Sequence, residues 1–431
     1  MEELNKIKKI LLVTTWAPPM TGGSVNLSTI FSQFHSDSYS ILTSYRIITS
    51  VMHNSSDWLP CRYYYYDQPK KNNYKCADCV NNIHNKRQIN VINQNNKDKK
   101  NNQILKIKQL LNFKGIYNLI IFFYQIIIIT YQGIKTIRKE KTEILIATSG
   151  DGLAMISTYL IHILTKKPYT LYFFDIYYGN NFLPSINLLS KFAEPIIVRN
   201  AKKIFFTNQG TDDLYKKRYG ILPTEIIYNS IFSKSYTRVK ELYKPKPPFK
   251  IIFTGHIYWP QEQSVLNLIE AVKKIQNIKI ELYLYSLKTP DIIKETTKDQ
   301  KNIFLGIAHP SEIAKIQLSA DILFLPLAWN TPSPEIIRTA TPGKLTEYLI
   351  SGKPILIHAP KYAYVSKYAK ENKFGLVIDN NNIDNLQEGI IKLLTDIKYS
   401  NTIINNANKT FYQNHDAIKN AKKLTNTLNN I

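Results

Sequence analysis

Short apolar runs punctuate the chain at regular intervals. From Lys250 onward they read KIIFTGHI, IKIELYLYS, NIFLG, DILFLPLA, KPILIHAP and GLVID. Between them lie stretches with helical periodicity, near 265–275, 310–318, 363–371 and from Pro342 onward. The runs are apolar throughout rather than alternating, as expected for parallel strands buried on both faces and joined by helices. The first half repeats the pattern with KKILLVTT, YSILTS, ILIATS, YTLYFF, KIFFT and TEIIYN. This predicts an α/β protein of two Rossmann-like, doubly wound domains. The first should span 1–240, with an insert at about 50–110, and the second 250–408. The segment YKPKPPFK, with Pro245, Pro247 and Pro248, favours an extended linker between them. Residues 399–431 read as polar helix broken near Asn414–His415, with 409–431 expected to cross back to the first domain.

One segment departs from the pattern. Residues 116–131, IYNLIIFFYQIIIITY, are too apolar for an ordinary surface helix, yet about 24 Å is short of a ~30 Å hydrocarbon core. Lysines and arginines collar it, Lys106, Lys108 and Lys114 before, Lys135, Arg138, Lys139 and Lys141 after. It reads as a buried helix of the first domain or as an interfacial helix on anionic lipid; a full span fits least, because the α/β pattern continues on both sides of it.

Charge widens the set of partners. Lys and Arg number 56 against 32 Asp and Glu, a net charge of +24 over 431 residues. Such a balance suits nucleic acid, an anionic membrane surface or phosphorylated small molecules. The basic residues are scattered and no nucleic-acid motif appears, so nucleic acid is not the expected partner. The opening apolar run fits a first strand better than a secretory signal, which points to a cytoplasmic chain; the collared stretch within 104–138 adds the expectation of a peripheral place on the inner face of the membrane. Three cysteines exclude a disulfide scaffold. Cys61, Cys76 and Cys79 with His84 match the ligand types of a structural zinc site, although only one Cys-x-x-Cys pair is present. Reduced thiols in a tyrosine-rich loop are the other reading.

Two loops carry candidate chemistry. After the first strand, WAPPMTGGSVN places Gly22 and Gly23 where strand hands over to helix, so that backbone N–H groups can approach a phosphate. Neither the nicotinamide fingerprint nor a P-loop is present. In SPEIIRTATPGKLTEYLISGKPILIHAP, residues 333–360, Thr341 is expected to cap a helix with Pro342 in its first turn. Lys344 and Glu347 then share a face near the helix N-terminus. Lys344 with the helix dipole makes a diphosphate site, and Glu347 accepts from ribose hydroxyls. A solvated Lys–Glu pair is the alternative.

TPGKLTEYLISGKPI resembles the donor-site segment of GT-B glycosyltransferases, close to their family 4 group. ILLVTTWAPPMTGGSVN resembles that family's opening strand and glycine loop, and KIIFTGHIYWPQEQSVLNLIEA its first donor-domain strand–helix unit. NIFLGIAHPSEIAKIQLSADILFLPL is similar to its base-contacting strand and the strand before the donor loop. The resemblance covers most of the chain outside 50–110. It implies transfer of a sugar, with retention and without a metal cofactor, from a nucleotide-diphosphate sugar to a hydroxyl. The implied acceptor is a saccharide or lipid-linked saccharide in surface-polysaccharide assembly. It assigns Lys344 and Asp175 to catalysis, and Gly22, Gly23, Gly255, His256, Ile307, Arg338, Pro342, Gly343 and Glu347 to substrate. Asp175, in FFDIYYGNNF, is the only carboxylate of the segment expected to meet the acceptor or donor sugar; capping the helix after Pro184 is its other reading. The chain departs from the family in two places. Thr339 stands where many members have a first glutamate, and His256 replaces the Arg and Lys that follow the strand ending at Gly255. Lys344, with Arg338, must therefore face the diphosphate. These departures support a rival reading, a GT-B-shaped subunit without activity.

Overall fold

A computed structural model describes residues 7–20, 22–50, 58–68, 113–180, 184–236 and 243–431. It holds two sheets. The first has the order β3-β2-β1-β4-β5-β6-β7, from β1 (Ile10–Val13), β2 (Tyr39–Thr43), β3 (Arg62–Tyr65), β4 (Ile144–Thr148), β5 (Tyr169–Phe173), β6 (Lys203–Phe206) and β7 (Thr224–Ile226). Pairing from β3 through β6 is parallel, with Leu12 aligned to Ile41 on one side and Ile146 on the other. The second runs β10-β9-β8-β11-β12-β13, from β8 (Phe249–Thr254), β9 (Ile280–Tyr285), β10 (Ile303–Gly306), β11 (Ile322–Pro326), β12 (Ile355–His358) and β13 (Leu376–Ile378). It is parallel throughout, with Leu323 between Ile252 and Ile355.

The strand reading holds for a physical reason. Every residue of β1, β2, β4, β5, β11 and β12 is buried, as helices on both faces require. Strand β3 went unread because its sequence, RYYY, is half exposed at the sheet edge, where Arg62 pairs with Glu140 at 2.8 Å. Two apolar clusters pack on the second sheet, one around Ile357, Leu349 and Phe374, the other around Phe253, Leu268, Ile390 and Leu393.

The helices of six residues or more are α1 (Gly23–Phe31), α2 (Phe113–Glu140), α3 (Leu153–Thr165), α4 (Pro184–Asn200), α5 (Gln209–Tyr219), α6 (Glu262–Lys274) and α7 (Asp291–Thr297). They continue with α8 (Ile313–Leu318), α9 (Pro334–Thr339), α10 (Lys344–Ile350), α11 (Tyr364–Asn372), α12 (Ile383–Thr395), α13 (Ile397–Thr410) and α14 (Ala417–Asn429). A π-helical turn, Phe411–His415, separates the last two. Buried His415 anchors it, with Nδ1 2.8 Å from the Asn229 carbonyl and Nε2 3.0 Å from the Tyr368 hydroxyl. Burial lowers the imidazole to about 4, so the ring stays neutral.

The chain forms two compact units, one of Met1–Phe206, Lys216–Glu225 and Leu424–Ile431, the other of Thr207–Tyr215 and Ile226–Lys423. Most of the expected insert at 50–110, with Cys76, Cys79 and His84, lies outside the described residues. Cys61 is half-buried just before β3 and acts on the Tyr39 hydroxyl. Among the described residues no cluster of metal-ligating side chains forms.

Candidate functional site

In an open parallel sheet, ligands gather beyond the carboxyl ends of the strands where the chain order reverses. In the second sheet that point lies between β8 and β11. The loops leaving these strands are tied together. Ala328 N–H donates to the Pro260 carbonyl at 2.7 Å, and Gln263 Oε1 accepts from the Trp329 and Asn330 N–H groups at 3.1 and 3.2 Å. Buried His358, ending β12, holds Ser264 of α6 through Nδ1 at 2.7 Å and packs its ring 4.5 Å from that of Trp329.

Lys344 enters this point from the start of α10. Its ammonium lies 3.9 Å from the centre of the Phe253 ring. It can run there because residue 255 is glycine: a Cβ on Gly255 would stand 2.8 Å from Lys344 Cε and 2.9 Å from Nζ. Gly255 also holds φ +125°, which side chains rarely adopt. Half-buried against an aromatic ring, the ammonium loses hydration, and its pKa falls to about 7, offset only in part by Glu347. Among the described residues no carboxylate lies within ion-pair distance of it, so the solvated Lys–Glu pair does not form.

Glu347 is instead held from behind. Its Oε2 accepts from Gln317 Nε2 at 2.6 Å, the same amide nitrogen donates to Thr254 Oγ1 at 3.0 Å, and Gln317 Oε1 accepts from the Tyr236 hydroxyl at 2.5 Å. Gln317 is fully buried. The Tyr348 hydroxyl accepts from Thr254 N–H at 3.2 Å, which closes the network onto the end of β8. Burial raises the Glu347 carboxyl, against the hydrogen bond from Gln317 and the charge of Lys344. Its Oε1 accepts no hydrogen bond from the described residues and is the atom left for a ligand.

Two expectations about α10 need correction. Thr341 does not cap it: the helix opens at Lys344 with Gly343 at the N-cap and no side-chain cap, while Thr341 Oγ1 is buried without a partner among the described residues. The helix is seven residues long, so its dipole adds little and the ammonium is the main positive charge. Gln261 Oε1 just before α6, Thr331 Oγ1 after β11 and Glu335 Oε2 on α9 are likewise buried without partners among the described residues.

The remaining sequence-derived residues separate. His256 and Ile307 are exposed beyond β8 and β10, and Pro342 and Gly343 form the turn that launches Lys344. Arg338, on α9, points its guanidinium over the Tyr362 ring at 5.3 Å and lies 3.6 Å from Glu335, so its charge is already partly answered. Thr339 is buried and donates to the Glu335 carbonyl at 2.9 Å, a structural use of its hydroxyl.

In the first sheet the order reverses between β1 and β4. Gly22 is the N-cap of α1, which has no side-chain cap, and Ser24 of its first turn donates to the Trp16 carbonyl at 2.5 Å. Trp16 is half exposed. Sequence reading missed Asp151, just past β4: one oxygen accepts from Thr15 Oγ1 at 3.2 Å and from Leu153 N–H at 3.0 Å, and burial raises its carboxyl. The signal was present, an acid directly after a central strand at the reversal, but it needs the sheet order to be seen. Asp175 lies past β5, where its N–H and that of Phe174 meet Ser149 Oγ at 3.4 and 3.0 Å. Its side chain reaches solvent and accepts no hydrogen bond from the described residues, while the surrounding protein raises its carboxyl.

Comparison with known proteins bears on the fold. Residues 236–410 match the model of the family described as glycosyl transferases, group 1. No curated protein sequence matches the chain. Among solved structures it is similar to a glycosyltransferase from Rickettsia africae, with 14% identity, 98% of each chain covered and a TM-score of 0.64. It is equally similar to Anabaena Alr3699/HepE in complex with UDP-glucose, at 14% identity, 98% of this chain and 100% of that one, TM-score 0.64. Sucrose-phosphate synthase from Thermosynechococcus elongatus matches at 10% identity, 98% of each chain and TM-score 0.64. The chain therefore has the GT-B fold of two parallel-sheet α/β units, and residues 236–410 resemble the group 1 glycosyl transferases.

Proposed function

We propose that the chain transfers a sugar from a nucleotide-diphosphate sugar to a hydroxyl of a saccharide or lipid-linked saccharide, as in surface-glycan assembly, with retention and with no metal cofactor. The observation that carries this reading is the Lys344 ammonium, half-buried at the strand-order reversal with no carboxylate within ion-pair distance among the described residues. When the donor reacts, negative charge grows on the departing diphosphate. A fixed cation in a poorly hydrated site acts most strongly at that stage. Glu347, braced by Gln317, presents its open oxygen to the ribose hydroxyls. Asp175 meets the acceptor hydroxyl or the donor sugar. UDP-glucose, which the Anabaena protein binds, is the first donor to try.

A nucleotide-binding subunit without turnover is the second reading, favoured by Thr339, whose hydroxyl is committed to the backbone of α9. One experiment separates the two. A panel of nucleotide sugars is screened for a rise in melting temperature, then assayed for transfer to lipid-linked saccharides. A donor that stabilises and turns over supports the enzyme; one that stabilises without turnover or hydrolysis supports the subunit. If none stabilises, both readings fail.

A further inference from the structure

None of the residues assigned above to sugar transfer lies on the outer face of α2. Along the inner face Phe122, Ile126, Ile129 and Ile137 are buried. Gly133 lets α3 approach there, since a Cβ would stand 2.3 Å from Ile161 Cδ1. The opposite face is apolar as well. Tyr117, Ile120, Tyr124, Ile127 and Tyr131 are each 62–66% exposed. Seven residues advance an α-helix by almost two full turns, so the three tyrosines form one stripe with isoleucines beside them. That stripe continues as Lys135 and Arg138, both exposed.

Two neighbours add to the pattern. Helices α3 and α4 contact α2 and each other. α3 exposes Ile163 and Leu164, with Lys166 and Lys167 just beyond its end. α4 exposes Phe192 and Ile196 beside Lys191 and Arg199. The carboxylates of the three helices are withdrawn: Glu140 is held by Arg62 and Tyr64, and Glu194 is buried.

We infer that this face docks on an anionic lipid surface, with α2 lying flat in the interface rather than crossing it. Charge complementarity selects this occupant. A second copy would bring like-charged stripes together on a chain of net charge +24, with no exposed acid among the described residues of these helices to answer them. Lipid headgroups supply the missing anions, while tyrosines suit the headgroup level and isoleucines the acyl boundary beneath it. Crossing the bilayer is disfavoured because it would strip the inner stripe of its partners on α3. This inference does not rest on the sugar-transfer reading.

Flotation of the full chain with vesicles tests it. Binding to phosphatidylcholine vesicles containing phosphatidylglycerol should exceed binding to pure phosphatidylcholine at least about tenfold, and should collapse at high salt. Ile120→Asp with Ile127→Asp, and separately Lys135→Glu with Arg138→Glu, should each lower binding about tenfold or more. All four side chains are exposed on the outer face, so unchanged melting curves should accompany the loss. Equal binding to both vesicle types overturns the inference. So does a chain that ignores vesicles and instead forms dimers that the aspartate pair dissolves.

Discussion

The two sheets reverse their strand order in the same way, yet they equip that point with opposite charge. Past β8 and β11 stands a cation, Lys344, without an anion in ion-pair reach. Past β1, β4 and β5 stand carboxylates, Asp151 and Asp175, without a cation in such reach, both statements holding among the described residues. Burial moves Lys344 and Asp151 toward neutrality: it lowers the lysine and raises the acid. A parallel sheet therefore supplies a place, not a chemistry. The side chain that arrives there decides whether the place carries a cation or a carboxylate.

The sharpest way to break that contrast is to remove the cation. Lys344→Ala should lower kcat by ~10²–10³-fold, as loss of one transition-state donor does, with a smaller effect on KM. Turnover at the wild-type rate would falsify the phosphate role. Next comes the acid side. Asp175→Asn keeps the shape and removes the charge, and should lower turnover about 10²-fold while leaving nucleotide affinity unchanged, measured by titration with the donor. If nucleotide affinity falls instead, the two sheets do not divide the substrate as proposed.

Glu347→Ala should weaken nucleotide binding by ~1.5–3 kcal/mol. Because Glu347 takes a hydrogen bond from buried Gln317, it should also cost ~1 kcal/mol of stability, which melting curves will show; Glu347→Gln should recover part of that stability but not the affinity.

The smallest effect concerns pH. With a folded pKa of about 7, below the ordinary 10.5, Lys344 resists protonation in the native state. The unfolded chain binds more protons between these values, so the stability of the ligand-free protein should rise with pH across that window. The penalty is full below about pH 7 and gone above about 10.5. Lys344→Met should accordingly stabilise the ligand-free protein by ~1–3 kcal/mol near pH 6, a gap that closes on the alkaline side. An identical pH profile for wild type and Lys344→Met would mean that the ammonium is not desolvated.

How much of this could be read in advance follows from how local each feature is. Strands buried on both faces announce themselves as unbroken apolar runs, so the two sheets were legible. β3 was not, because an edge strand tolerates Arg62 and half-exposed tyrosines. Lys344 and Glu347 share one short motif and were visible together. Their support was hidden, because Tyr236, Thr254 and Gln317 come from three separate segments and meet only in the folded unit. The cap expected of Thr341 failed because the chain turns into α10 through Pro342 and Gly343, leaving that hydroxyl behind the helix start. For the stretch 116–131 the alternatives were not exclusive: α2 buries one face and exposes the other.

Gly255 and Lys344 constrain each other unequally. The glycine is held by two separate demands, the space taken by the lysine and its own backbone angle of +125°. Losing the lysine removes only the first. In a lineage that stopped using this site, Lys344 could drift at once, while position 255 would stay glycine for the sake of the bend. The pair thus separates two demands: glycine with lysine keeps a cation at the end of β8, and glycine alone keeps only the bend.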